Sequence, residues 1–282
     1  MKPHKRLSPK KNSRRHLNQK NNPRKYLSLK KIVLIAIAVI FIFFIINTAI
    51  SNAFGGSNSS NQDTSTVHVL IFNGTGVITG SVNGVEDCLD KANQENLIPN
   101  VVFNYSTTDE INSKTLSGYD VLVMPGGLAT TYLEDSDIDS SAMKNFVSSG
   151  KGYVGICAGA YAATSYVDGC YEGWGIAPNI RSKVVSYQGE LNITMTSTGS
   201  DLLNSSGVQD IYHWNGPAMY KNGSYTPIAY YTDNTTGYEN YAAILDDTYG
   251  SGRVLLSGSH PELDPQKPEM LAKMILWASG KS

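Results

Sequence analysis

A cysteine set among small residues at the end of an apolar run, and a histidine and carboxylate about a hundred residues later, are the groups of this chain best equipped for chemistry. The first stretch is Gly155-Ile156-Cys157-Ala158-Gly159-Ala160-Tyr161, and the second is Ser259-His260-Pro261-Glu262. A thiol nucleophile needs a sharp strand-to-helix turn to expose its sulfur, a base to take the proton and an acid to orient the base. Each half also has a plainer reading. Cys157 could be a packed core residue, and His260 could simply close a strand.

The elements that must position these groups alternate along the chain. Val67–Phe72 is a buried-strand run ended by Asn73-Gly74-Thr75-Gly76, and Ser81 to Leu97 is amphipathic, with Val82, Val85, Leu89 and Ala92 at helical spacing. Val101–Phe103 gives a second strand, Asp109–Leu116 a short helix, and Tyr119–Met124 a third strand closed by Pro125-Gly126-Gly127. Ile138–Ser148 reads as helix and Gly152–Ile156 as the fourth strand. This order implies a parallel sheet with helices on both faces, whose sites lie at the carboxyl ends of the strands.

Beyond Ala163 the pattern is poorer. Val184–Tyr187 and Leu191–Met195 read as an antiparallel pair about Gly189, Tyr212 to Pro217 as a turn-rich aromatic patch, and Ile228–Tyr231 and Ala242–Leu245 as short strands. Arg253–Gly258 is a last buried strand that delivers His260 and Glu262 at its end, and Pro268–Ala278 closes the domain as a helix. His213, beside Trp214 and Tyr212, either lines a pocket or fills a loop core; Trp174 carries no assignment.

Charge divides the chain. Residues 1–31 hold twelve of the 23 Lys and Arg residues and no Asp or Glu, whereas everything after Ile50 holds eleven basic against 24 acidic residues, a balance of −13. Between them, Ile32–Ile50 is an uncharged stretch of nineteen residues, about as long as the roughly 30 Å hydrocarbon core of a bilayer. The expectation is a transmembrane signal anchor at 32–50, with the basic tail 1–31 cytoplasmic and the rest outside. A cleavable signal peptide ending near Ser51-Asn52-Ala53 is the competing reading, although its apolar core would be unusually long. The basic tail lacks interleaved aromatics apart from Tyr26, so nucleic acid is not an expected partner; the lipid bilayer is.

Residues 51–66, rich in Gly, Ser and Asn, read as a flexible linker, and 67–282 as one globular domain. Asn-x-Ser/Thr tripeptides at Asn58, Asn73, Asn104, Asn192, Asn204, Asn222 and Asn234 agree with that topology but arise readily by chance in such a composition. Three cysteines are too few for a disulfide scaffold and lack metal-ligand spacing. In an oxidising compartment Cys88 and Cys170 could pair and leave Cys157 free; equally, both could be small hydrophobes.

Small-Cys-small-Gly after a strand, Pro-Gly-Gly after the preceding strand and a late His-Pro-Glu together resemble the class I glutamine amidotransferase-like superfamily. Within it, the Gly-x-Cys-Ala-Gly-Ala-Tyr elbow, Trp174-Gly175 and Asn215-Gly216-Pro217 are most similar to the domain at the N-terminus of some biotin-protein ligases. The resemblance covers roughly Val67 to Trp277 and includes nothing of the ligase catalytic portion, so biotin transfer is not implied. The expected fold is α/β, a flavodoxin-like doubly wound, mostly parallel sheet with helices on both faces, preceded by one transmembrane helix.

The resemblance makes Cys157 the nucleophile, His260 its base and Glu262 the residue orienting the histidine. A free thiol is mostly protonated at neutral pH, and an adjacent imidazole and helix N-terminus favour its thiolate. The N–H groups of Gly127 and Ala158 are then the expected oxyanion donors, with Gly126 permitting close approach; as a bare turn, Gly126-Gly127 needs no such role. Tyr161, His213, Trp214 and Asn215 are the expected substrate pocket.

Departures narrow the function. Amidotransferases usually carry Gln four residues after the nucleophile, where this chain has Tyr161, and they feed ammonia to a synthase partner, of which none is fused here. The intracellular-protease branch commonly places Glu after its first strand, where Asn73 stands. Two functions remain. One is a membrane-anchored thiol hydrolase of an amide, small-molecule or peptide-like substrate. The other is a non-catalytic module that binds a small ligand or the cell surface through the ancestral pocket. No cofactor or metal is expected.

Overall fold

Val121–Met124 is apolar at every position, and Val67–Phe72 at every position but His68, rather than at alternate ones, because both faces of their sheet are covered. In the computed structural model, which describes residues 64–221, 225 and 227–281, odd and even positions of these runs enter two different cores. Val69, Val121, Val123 and Val154 belong to one, with Val85, Leu89, Leu271 and Ile275 of the helices on that face. Leu70, Leu122, Met124 and Tyr153 belong to the other, with Met143 and Val147. The expected membrane segment 32–50 lies outside the described residues. Among those described, no helix is long and apolar enough to cross a membrane.

The first half runs β1 (Ser65–Phe72), α1 (Thr79–Gln94), β2 (Val101–Thr108), β3 (Val121–Met124), α2 (Ala129–Glu134), α3 (Ser140–Ser148), β4 (Gly152–Ile156) and α4 (Ala158–Ala163). The second half runs β5 (Thr164–Val167), β6 (Tyr171–Glu172), β7 (Ala177–Lys183), β8 (Gln188–Met195), α5 (Ser197–Leu203), β9 (Val208–Trp214), β10 (Ala218–Lys221), β11 (Ala229–Tyr231), β12 (Ala242–Tyr249), β13 (Gly252–Ser257) and α6 (Pro268–Ser279). Strands β2-β1-β3-β4-β13 lie side by side and all parallel. Antiparallel β12 then continues the sheet through β10 and β7, while β8 and β9 branch off through β11. The sheet is therefore mixed: its parallel core matches the expected winding, and the residues after Ala163 add an antiparallel extension.

Several local expectations need correction. Residues 109–116 form turns rather than a helix, because the Asn112 side chain accepts from the N–H groups of Lys114 and Thr115, giving the backbone a local alternative. Residues 184–187 are not a strand. β8 pairs instead with β9, Gln188 opposite Trp214 and Thr194 opposite Val208, and with β11 on its other side, so Tyr212–Trp214 of the aromatic patch end a strand and only 215–217 leave it. Cys88 and Cys170 are not paired: Cys88 is buried on α1, Cys170 is exposed, and both are free.

Neighbouring strands lie about 4.8 Å apart, and β3, β4 and β13 are consecutive in the sheet. Their carboxyl ends therefore bring Gly126, Cys157 and His260 to one edge from three distant parts of the sequence.

Candidate functional site

Cys157 occupies the turn between β4 and α4 with φ +51° and ψ −103°, a backbone conformation that costs about 1–3 kcal/mol for a non-glycine residue. Its flanking glycines explain how the turn closes. A Cβ at Gly155 would lie 2.7 Å from the Gly159 carbonyl carbon, and one at Gly159 would collide with the Met124 carbonyl oxygen. Any side chain at either position would push α4 away from β3 and β4. Tyr153 also ties the first turn down, its hydroxyl donating to the Gly159 carbonyl at 2.8 Å.

His260 and Glu262 are wholly buried. The imidazole Nδ1–H donates to Glu262 Oε1 at 2.7 Å, and the His260 backbone N–H donates to the Tyr212 carbonyl at 2.8 Å, pinning the ring to the end of β9. Burial by itself would push the imidazolium toward the neutral form. The Glu262 carboxylate, assisted by Cys157, outweighs it and holds the His260 pKa up at about 10. The second nitrogen, Nε2, is buried without a hydrogen-bond partner among the described residues.

Ser81, at the start of α1, is a member of this site that the sequence did not disclose. Its hydroxyl donates to Glu262 Oε1 at 2.6 Å and accepts from the Gly126 N–H at 2.8 Å. A relay thus runs from the backbone after β3, through Ser81 and Glu262, to the imidazole. The available signal was a serine one turn before Val85 and two before Cys88 and Leu89, on the helix face that is otherwise apolar. Gly84, on the same face, leaves no room for a Cβ against the Glu262 carbonyl oxygen.

The residues of the expected oxyanion hole differ in what they offer, Gly126 close approach and Gly127 and Ala158 their N–H groups. Gly126 cannot offer its N–H, which Ser81 already holds; its contribution is steric, because a Cβ there would sit 2.6 Å from His260 Cε1. No hydrogen bond among the described residues engages the Gly127 N–H. Ala158, the first residue of α4, has no preceding helical turn to receive its N–H.

A cleft of about 540 Å³ opens over the elbow, lined by Cys157, Gly127, Ala158, Tyr161, Trp214 and Asn215 among others. Tyr161 stands where the glutamine was expected, and its hydroxyl accepts from the Val185 N–H at 3.2 Å, bracing α4 against the opposite wall. His213 does not line the cleft. It is fully buried between Tyr187 and Tyr231, shares a 3.1 Å hydrogen bond with Ser259 Oγ, and is held neutral by burial and then by His260, with a pKa down at about 3. Trp174 is a core residue, packed with Ile176 and Ile180.

The sulfur itself makes one hydrogen bond, the Cys157 S–H donating to the Trp214 carbonyl at 3.3 Å. Cys88, behind Glu262, is pushed up to about 12 by burial and then by that carboxylate, which leaves its thiol inert. No group of residues suited to a metal ion occurs among those described.

Residues 67–173 match the family described as biotin-protein ligase, N terminal. The biotin-protein ligase of Schizosaccharomyces pombe is 27% identical over 234 residues, covering 73% of this chain and 35% of that protein; the chain thus spans about a third of the relative's length. Among solved structures, a β-galactosidase from Rahnella sp. R3 aligns with a TM-score of 0.53 at 12% identity, over 77% of this chain and 31% of the other. A glutamine amidotransferase from Thermotoga maritima aligns with a TM-score of 0.48 at 13% identity, over 77% of this chain and 99% of the other. Over residues 67–173 the chain is thus related to the N-terminal domain of biotin-protein ligases.

Proposed function

We propose that the domain is a cysteine-dependent hydrolase of an amide or peptide-like substrate, working through Cys157, His260 and Glu262. The observation that carries this reading is the strained Cys157 elbow beside a buried His260 whose Nδ1 is fixed on Glu262 and whose Nε2 has no partner. For turnover the thiol releases its proton to solvent as the sulfur leaves the Trp214 carbonyl, and the thiolate, beside the protonated His260, attacks the substrate carbonyl carbon. The oxyanion so formed accepts hydrogen bonds from Gly127 and Ala158 N–H, and His260 protonates the departing amine as the C–N bond breaks. Water, losing a proton to His260, then cleaves the thioester to give an acid, the thiolate and the protonated imidazole once more. Glu262, oriented by Ser81, holds the imidazole throughout.

The proposal extends to location. The charge asymmetry about residues 32–50 supports a single-pass anchor with the basic tail cytoplasmic and the domain outside. Protease added to intact cells is then expected to remove the domain.

The decisive test is mass spectrometry of the full chain after exposure to p-nitrophenyl acetate. An acetyl group on Cys157, lost in Cys157→Ala, supports a hydrolase; no adduct on Cys157 over hours sinks it. The second reading, a binding module without turnover, is favoured by the sulfur resting on the Trp214 carbonyl rather than on His260. That reading requires ligand affinity to survive Cys157→Ala with no acyl-enzyme under any condition.

A further inference from the structure

The walls of the cleft carry no Asp, Glu, Lys or Arg among the described residues that line it. Ile78, Leu128, Val184, Val185 and Tyr171 supply apolar surface around Cys157. Thr130, Ser186 and Asn215 supply neutral polar groups. His260 and Glu262, buried and outside the lining of the cleft, are paired with each other.

A second observation concerns the rim. Large apolar side chains are seldom left in solvent without reason when they cluster. Four are exposed among the described residues, and two of them, Leu128 at 63% and Val184 at 47%, border this one cleft. They come from different parts of the fold, the loop after β3 and the residue after β7, so an extended occupant of the cleft would cover both.

Free glutamine or any other zwitterion would bring an ammonium and a carboxylate into this space, and neither would find a counter-charge. Burying an unpaired ion is costly, whereas a neutral amide needs only the hydrogen bonds that Asn215, Ser186 and the backbone offer. We infer that the cleft takes an uncharged, apolar peptide or acyl segment, gripped at both rims by Leu128 and Val184, and that it excludes free amino acids and charged side chains next to the scissile bond. This rests on the cleft over Cys157 being the substrate site proposed above, and it names the substrate's chemistry.

The test separates recognition from turnover by using the full chain carrying Cys157→Ala. Affinities for N-acetyl-Leu-Leu-amide, N-acetyl-Leu-Glu-amide, N-acetyl-Leu-Lys-amide and free glutamine are measured by calorimetry. The neutral peptide is expected to bind at least tenfold more tightly than either charged one, with glutamine weakest. Val184→Lys, a change at an exposed position, is expected to weaken the neutral peptide about tenfold and to shift preference toward the Glu peptide. Equal affinity for neutral and charged peptides, tighter binding of glutamine, failure of every peptide to bind, or a Val184→Lys protein with unaltered preferences each overturns the inference. Failure of the hydrolase reading looks different, because selective binding of the neutral peptide would persist while no acyl group appeared on wild-type Cys157.

Discussion

Replacing Glu262 by Gln tests the buried heart of the site. In the folded chain His260 titrates at about 10, held there chiefly by Glu262 against the effect of burial; an unfolded histidine titrates near 6.5. A histidine whose pKa is raised on folding contributes stability that is fully present below about 6.5 and is lost as pH rises toward the folded value. Between those limits the unfolded state has released one proton that the folded state keeps. The stability of the wild type therefore falls by up to about 1.4 kcal/mol per pH unit from this residue alone. In Glu262→Gln the carboxylate is gone, burial now dominates, and the imidazole folds neutral, so this contribution to the slope vanishes. Near neutral pH the variant is also expected to lose about 3–5 kcal/mol, the usual consequence of removing one member of a buried ion pair. Urea denaturation followed by tryptophan fluorescence, repeated across that pH range for both proteins, reads the difference in slope directly. Parallel stability curves would show that His260 is not held charged by Glu262, and the electrostatic account of the site would be wrong.

Three further outcomes follow from the same geometry. Gly126→Ala places a methyl group 2.6 Å from His260 Cε1; the displaced ring should lower the rate of Cys157 acylation about a hundredfold, measured as the p-nitrophenol burst, and an unchanged burst would refute the contact's importance. Ser81→Ala removes a hydrogen bond to a buried carboxylate and should destabilise the fold by about 1.5–3 kcal/mol in urea, with a loss under 0.5 kcal/mol counting against the relay. His213, neutral in the fold at a pKa near 3, binds its proton more readily when unfolded, so it erodes stability as pH falls below about 6.5. His213→Gln should flatten that acid limb, and an identical acid limb in the variant would contradict the assignment.

Much of the parallel core was legible because strands buried on both faces must be apolar on both, as Val69–Phe72 and Gly152–Ile156 are. The Cys157 elbow was legible for a related reason: only glycine fits where α4 crosses β3 and β4, so Gly155 and Gly159 had to flank Cys157. The pairing of β8 with β9 was not legible. Twelve residues containing α5 separate the two strands, and nothing in Val184–Tyr187 itself reveals that it lacks a partner. His213 was misplaced because an aromatic neighbourhood looks alike whether it faces a cleft or a core; its wholly buried ring among Tyr187, Tyr231 and Ser259 settles the matter. Ser81 escaped notice because a small polar residue on an apolar helix face becomes informative only once its partner, almost two hundred residues away, is in place.

The end of β9 touches both halves of the site at once. The Tyr212 carbonyl anchors the backbone of His260, and two residues on the Trp214 carbonyl holds the thiol of Cys157. His260 and Cys157 are thus moored to one short piece of backbone, although they arrive on different strands of the sheet. A molecule that leans on Trp214 or Asn215 at the cleft wall bears on this mooring, and it can loosen or tighten the thiol without ever covering the sulfur. Compounds that act on this domain need not be thiol-reactive.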